Sequence, residues 1–174
     1  TTGFLDEGRH WLGRLLAADT EPTAIRLRAL GVAARLASLQ GDGAAVEPLV
    51  EECEELALRL GTESGLTNAL YVRGVYALFH GDSDDAVRLL SEVRDRFAAS
   101  DRPETANISF SLAIAYSSLG RPDRAIEEYE EGLARNKARG DTMFQSYGMW
   151  ALGLARFARG ETDAAIEAMR ESIR

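Results

Sequence analysis

A chain of 174 residues with 45% hydrophobic and 28% charged side chains is long enough to bury a core and too apolar to be disordered. Its formal charge of −8 argues against a phosphate-neutralising surface, so neither direct nucleic-acid contact nor anionic-membrane binding is expected. One cysteine, Cys53, allows no internal disulfide, no apolar run nears the roughly 20 residues of a membrane helix, and no signal peptide is expected, which together point to the cytoplasm.

With four prolines and no β alternation, the fold expected is all-α. In chain order, an opening helix covers about residues 4–18, starts near Asp6 and carries Trp11, Leu12, Leu15 and Leu16 as its apolar face. Helix pairs follow at about 22–40 with 44–59, 64–80 with 84–99, 103–119 with 122–138, and 142–159 with 162–174. The pairs with their turns occupy about 22–60, 62–100, 102–139 and 141–174. Ser83 and Thr162 are the expected N-caps, Pro122 suits a first helical turn, and Thr142 with Gln145 has capping-box spacing. The joints "GTES" and "SDRPE" are short, so residues 1–174 read as one domain. The unpaired opening helix and the uncapped last helix suggest a segment of a longer protein, and Met169 and Ile173 on that last helix lead to the expectation that the segment self-associates or shows exposed apolar ends.

Four glycines punctuate this order at Gly41, Gly81, Gly120 and Gly160, spaced 40, 39 and 40 apart. Each ends an apolar-periodic stretch and precedes a polar start: "GDGAAV", "GDSDDAV", "GRPDRAI" and "GETDAAI". Five residues on stand Val46, Ala86, Ala125 and Ala165; nine on stand Val50, Leu90, Tyr129 and Met169. Seven before stand Ala34, Gly74, Ala113 and Gly153. Small residues set against large ones at fixed offsets let two helices interdigitate. The pattern is that of a tetratricopeptide-like α-solenoid, with a repeat of about 40 residues and a right-handed superhelix.

The stretches "DEGRHWLGRLLA", "SGLTNALYVRGVYALFHGDSDDAVRLLSE" and "SYGMWALGLARFARGETDAAIEAMRESIR" resemble the tetratricopeptide-like region of large ATP-dependent bacterial transcription regulators of the LuxR and antibiotic-regulator type. In that family an NTPase module precedes the helical repeats and a helix-turn-helix domain often follows. The family's phosphate-binding loop has no counterpart here, since the sole lysine is Lys137 in "ARNKARG". For this segment the resemblance implies sensing, scaffolding or self-association.

Catalytic, cofactor and metal sites are not expected. Cys53 in "EECEELAL" falls in a packing slot otherwise held by Val93, Gly132 and Ser172. His10 and His80 lack metal-ligand spacing, and "DSDDAVRLLSEV" lacks the glycine and glutamate of a calcium loop. The runs "EECEE" and "EEYEE" read as solvated faces. One stripe stands out on the first helix of each pair, at thirteen, ten, six and three residues before the glycine. It reads Arg28, Gly31, Arg35, Ser38; then Asn68, Tyr71, Val75, Leu78; then Asn107, Phe110, Ile114, Ser117; then Tyr147, Trp150, Leu154, Phe157. In tetratricopeptide solenoids this face lines the concave groove, so Arg28, Arg35, Asn68, Tyr71, Asn107, Phe110, Tyr147, Trp150, Leu154 and Phe157 are the candidate groove residues. The competing reading packs the stripe inside the fold. The function expected is non-catalytic protein–protein interaction or signal sensing within a transcriptional regulator, with other domains of the parent regulator as partners. A groove that receives a peptide or small-molecule inducer, and a scaffold unrelated to transcription, are the alternatives; a homo-oligomer is a further expectation.

Overall fold

The computed structural model describes residues 3–98, 105–140 and 142–173. Among them are nine helices and no strand. Their contacts gather into two compact units, Thr1–Asp82 and Ser83–Arg174.

The first unit holds α1 (Gly3–Ala18), α2 (Ala24–Leu39), α3 (Gly43–Arg59) and α4 (Glu63–Phe79). Each helix packs on the next, and α4 also returns to α2. That skip contact makes the unit a stack of hairpins rather than a string of them. The second unit holds α5 (Ser83–Ala98), α6 (Thr105–Ser118), α7 (Pro122–Arg139), α8 (Thr142–Ala158) and α9 (Thr162–Glu171), again each packed on the next.

The turns explain the repeat. Gly41, Gly81, Gly120 and Gly160 all hold positive φ, between 65° and 87°. In each case the following N–H bonds back five residues: Asp42 to Ala37 O, Asp82 to Ala77 O, Arg121 to Tyr116 O and Glu161 to Arg156 O, at 2.9–3.0 Å. This closure satisfies carbonyls the helix end leaves free, and it needs a residue at ease in the left-handed region. Gly61 and Gly140 share the positive φ, and Thr62 N bonds Ala57 O at 2.9 Å. The glycine signal therefore also marks two joints between hairpins, at Gly61 and Gly140, while the sequence carries no glycine near residue 100. The cap is one residue earlier than expected at two places: Ser83 and Thr162 are the first residues of α5 and α9. The residue after the glycine already completes the closure, so it also takes the N-cap place. Asp42 shows the full arrangement, its Oδ1 accepting from Ala45 N at 3.2 Å. Pro122 opens α7, as its missing N–H allows. The side chain of Thr142, and with it the capping box, lies outside the described residues.

The small-against-large rule holds in the core. Val46, Ala86, Ala125 and Ala165 are buried, as are Ala34, Gly74, Ala113 and Gly153; of the larger set, Val50, Leu90 and Tyr129 are buried. At Gly153 an added Cβ would meet Met169 Cγ at 2.7 Å and the Ala165 carbonyl at 3.1 Å, so α8 and α9 touch through a glycine. Two expectations are corrected. The apolar face of α1 divides: Leu12 and Leu16 turn inward, whereas Trp11 and Leu15 are exposed. One helix cannot aim all four at α2, because 11 and 15 lie off the line through 12 and 16. The run "EEYEE" is not uniformly solvated either, because Glu128 is 3% exposed and faces Arg94 of α5.

Candidate functional site

The stripe can be followed unit by unit. In the first unit Arg28 and Arg35 are exposed on α2, while Gly31 between them and Ser38 beyond Arg35 are buried. The reason is α4: the Asn68 amide nitrogen lies against the Gly31 backbone, where any Cβ would collide with it. Asn68 and Tyr71 are half-buried, and Val75 and Leu78 are buried below them.

In the second unit the side chain of Asn107 lies outside the described residues. Phe110 is 3% exposed, which places it in the packing between α6 and α8 rather than open to solvent. Gly148 makes the room: a Cβ there would stand 2.7 Å from the Phe110 ring and 2.9 Å from Leu133. Around Phe110 the rings of Tyr129 and Tyr147 have centroids at 6.1 and 6.5 Å, the latter edge-on. Tyr147 continues to Trp150 at 6.0 Å. Buried at one end, this aromatic row reaches the surface on α8, where Tyr147, Trp150 (47% exposed), Leu154 and Phe157 (62%) are all exposed. Four large apolar side chains at helical spacing therefore face solvent from a helix whose other side is anchored by Ala151, Leu152 and Ala155.

Several charged side chains join helices. Glu52 and Glu54 flank Cys53 and reach opposite ways: Glu52 accepts from Arg26 of α2, and Glu54 from Arg73 of α4 at 3.1 Å. Arg156 of α8 donates to Glu130 of α7 at 2.9 Å. Cys53 itself is buried, and burial followed by Glu54 and Glu52 pushes its thiol up to about 11, so it is no nucleophile at neutral pH. His80 stacks on Tyr76 at 3.8 Å, with Nδ1 2.9 Å from the Tyr76 carbonyl. Among the described residues no three His, Cys, Asp or Glu side chains converge to hold a metal. No described helix is long and apolar enough to cross a membrane. Absent from the expected sites were Glu128, hidden in an acidic run, and the exposed Ile25, Val32 and Leu39 of α2. Their seven-residue spacing was the available signal.

Stacked helix hairpins with an open aromatic face define a repeat protein of the all-α class, built to present surface. Residues 66–138 and 146–171 match the tetratricopeptide repeat family. The chain is a tetratricopeptide repeat protein. No curated protein matches it in sequence. Among solved structures it is similar to the nearly identical TPR-like repeats from Podosopora anserina, at 20% identity and TM-score 0.67, covering 98% of this chain and 86% of that one. MamA matches at 19% identity and TM-score 0.62, covering 99% and 88%. BtubC from P. vanneervenii matches at 17% and 0.58, with the same coverage of 99% and 88%. At these identities the likeness speaks for the fold.

Proposed function

We propose that the chain is a non-catalytic protein-interaction scaffold that receives a protein or peptide segment on the α8 face. The observation that carries this reading is the exposure of Tyr147, Trp150, Leu154 and Phe157 on one side of a helix held firmly from the other. Aromatic side chains give large contact area for little conformational entropy, and such residues dominate binding surfaces. The stripe of the first unit, Arg28, Arg35, Asn68 and Tyr71, is read on the same footing as a second contact strip. Work inside an ATP-dependent transcription regulator is a narrower form of this proposal, supported by the sequence resemblance.

The test is selection of peptides from a displayed random library on the whole chain, followed by anisotropy titration of a selected peptide. Trp150→Ala should weaken binding by about 2 kcal/mol or more, with the helical circular dichroism unchanged. Selected peptides that bind the variant equally well, or a variant that loses its fold, would remove the α8 face from consideration and leave the stripe a structural element.

A further inference from the structure

Beyond its first residue, Ala24, five exposed residues of α2 lie outside its packing: Ile25, Arg28, Val32, Arg35 and Leu39. Their spacing is 3, 4, 3, 4, so they form one straight strip along the helix. The strip has firm borders. On one side Leu36 packs on Gly8 of α1, where a Cβ would lie 3.3 Å from Leu36 Cδ1; on the other, Gly31 receives Asn68 of α4. Within the strip two ladders run side by side. Ile25 (74% exposed), Val32 and Leu39 repeat every seven residues and are apolar. Arg28 and Arg35 repeat every seven residues and are cationic.

Three arginines of the same unit are ion-paired, whereas among the described residues Arg28 and Arg35, like Arg14 and Arg59, are not. Arg9 bonds Asp42, Arg26 bonds Glu52, and Arg73 bonds Glu47 and Glu54. Arg28 and Arg35 form no ion pair or hydrogen bond among the described residues. In a chain with 28 acidic and 20 basic side chains, two cations on one strip are left for a carboxylate from elsewhere.

We propose that the α2 strip docks an acidic amphipathic helix of a partner protein, its apolar ridge on Ile25, Val32 and Leu39 and its Glu or Asp side chains on Arg28 and Arg35. A helix fits because both ladders step by one heptad, about 10.5 Å, and a second helix alongside repeats its own residues at the same interval on one face. An extended strand presents successive same-side residues at about 6.6 or 13.2 Å instead and would leave its backbone N–H and C=O groups dehydrated over an apolar ladder. Nor does the strip hold an amide to receive them, because Asn68 is turned onto Gly31. The inference rests on the preceding section's reading that the chain binds proteins and deepens its second contact strip at Arg28 and Arg35; α8 takes no part in it.

The test uses the whole chain and two labelled helical peptides of three heptads, each with leucine at every seventh position. One carries glutamate one turn along in each heptad, the other lysine there. Anisotropy should show binding of the glutamate peptide, weakening as salt is raised, and little binding of the lysine peptide. Arg28→Glu with Arg35→Glu should reverse the preference, with a loss on the order of tenfold or more for the glutamate peptide. Val32→Asp should abolish binding of both, and Trp150→Ala should change nothing, which separates this strip from the α8 face. The proposal is overturned if neither peptide binds, if both bind alike, or if the charge reversal leaves the preference as it was. It is also overturned if sedimentation shows a dimer of the chain that Val32→Asp dissolves, since a second copy would then own the strip.

Discussion

Arg94 Nη1 donates to Glu128 Oε1 at 2.6 Å across α5 and α7, yet the second carboxylate oxygen of Glu128 is buried without a hydrogen bond. Ser109 of α6 stands beside it, its own buried hydroxyl also unpaired. Burial raises the Glu128 pKa, Arg94 opposes the rise, and Glu131 adds to it. A carboxyl that holds its proton more tightly when folded stabilises the fold in acid, and that contribution is lost as pH rises through the raised pKa. Between the ordinary carboxylate pKa and the raised one, wild-type stability should therefore fall with rising pH more steeply than that of Glu128→Gln. At pH 7 Glu128→Gln should be as stable as wild type or more so. Arg94→Ala, which strands the buried charge, should cost about 3 kcal/mol at pH 7 and less at pH 5. Urea unfolding at the two pH values measures all three; an Arg94→Ala cost that grows in acid would contradict the account.

Two glycines within helices should respond in opposite directions. Gly148→Ala drives a methyl into the Phe110 ring and Leu133, which are held in the packing between α6, α7 and α8. Overpacking of this kind costs about 1–3 kcal/mol, more than the gain of up to about 1 kcal/mol in helix propensity. Gly13 has nothing within 4 Å of the same position. Gly13→Ala should therefore stabilise by about 0.5–1 kcal/mol. Thermal or urea unfolding of the two variants side by side is the measurement.

At Gly120 there is open space around the missing Cβ, but φ is +65°. Its cost on substitution is one of backbone conformation alone. Gly120→Ala should destabilise by about 1–2 kcal/mol, and Gly120→Asn by visibly less, since Asn tolerates that region better. Equal losses would mean that some contact decides the matter.

Cys53 is buried against the Leu27 carbonyl and its thiol is pushed up to about 11. A thiol reagent at pH 7.5 should leave it unmodified in the native chain and label it fully in denaturant, at a rate that follows unfolding. Rapid labelling without denaturant would place the side chain at the surface. Cys53→Ala should cost about 1–2 kcal/mol through lost packing, with Cys53→Val the milder change because it refills the space.

What residue order determined by itself was the hairpin repeat. A left-handed turn excludes most side chains, so Gly41, Gly81, Gly120 and Gly160 declare the turns, and the offsets counted from them name buried positions such as Val46, Ala86, Ala125 and Ala165. These are local rules, in which a residue's own φ or size decides the outcome. The fate of the stripe was decided elsewhere. Gly31, Phe110 and Trp150 each stand ten residues before the glycine that ends their helix, yet Gly31 and Phe110 are buried and Trp150 is half open. What separates them is the neighbouring helix: Gly148 of α8 admits the Phe110 ring, Asn68 of α4 covers Gly31 beside Arg28, and Trp150, beside Tyr147 of its own helix, keeps 47% of its surface open. Glu128 makes the same point, since its run of acids reads as solvated until Arg94 and Ser109 close over it from two other helices. Which side of a helix is shut off from water depends on contacts between residues tens of positions apart, and a pattern of period 3.6 within one helix carries no record of them.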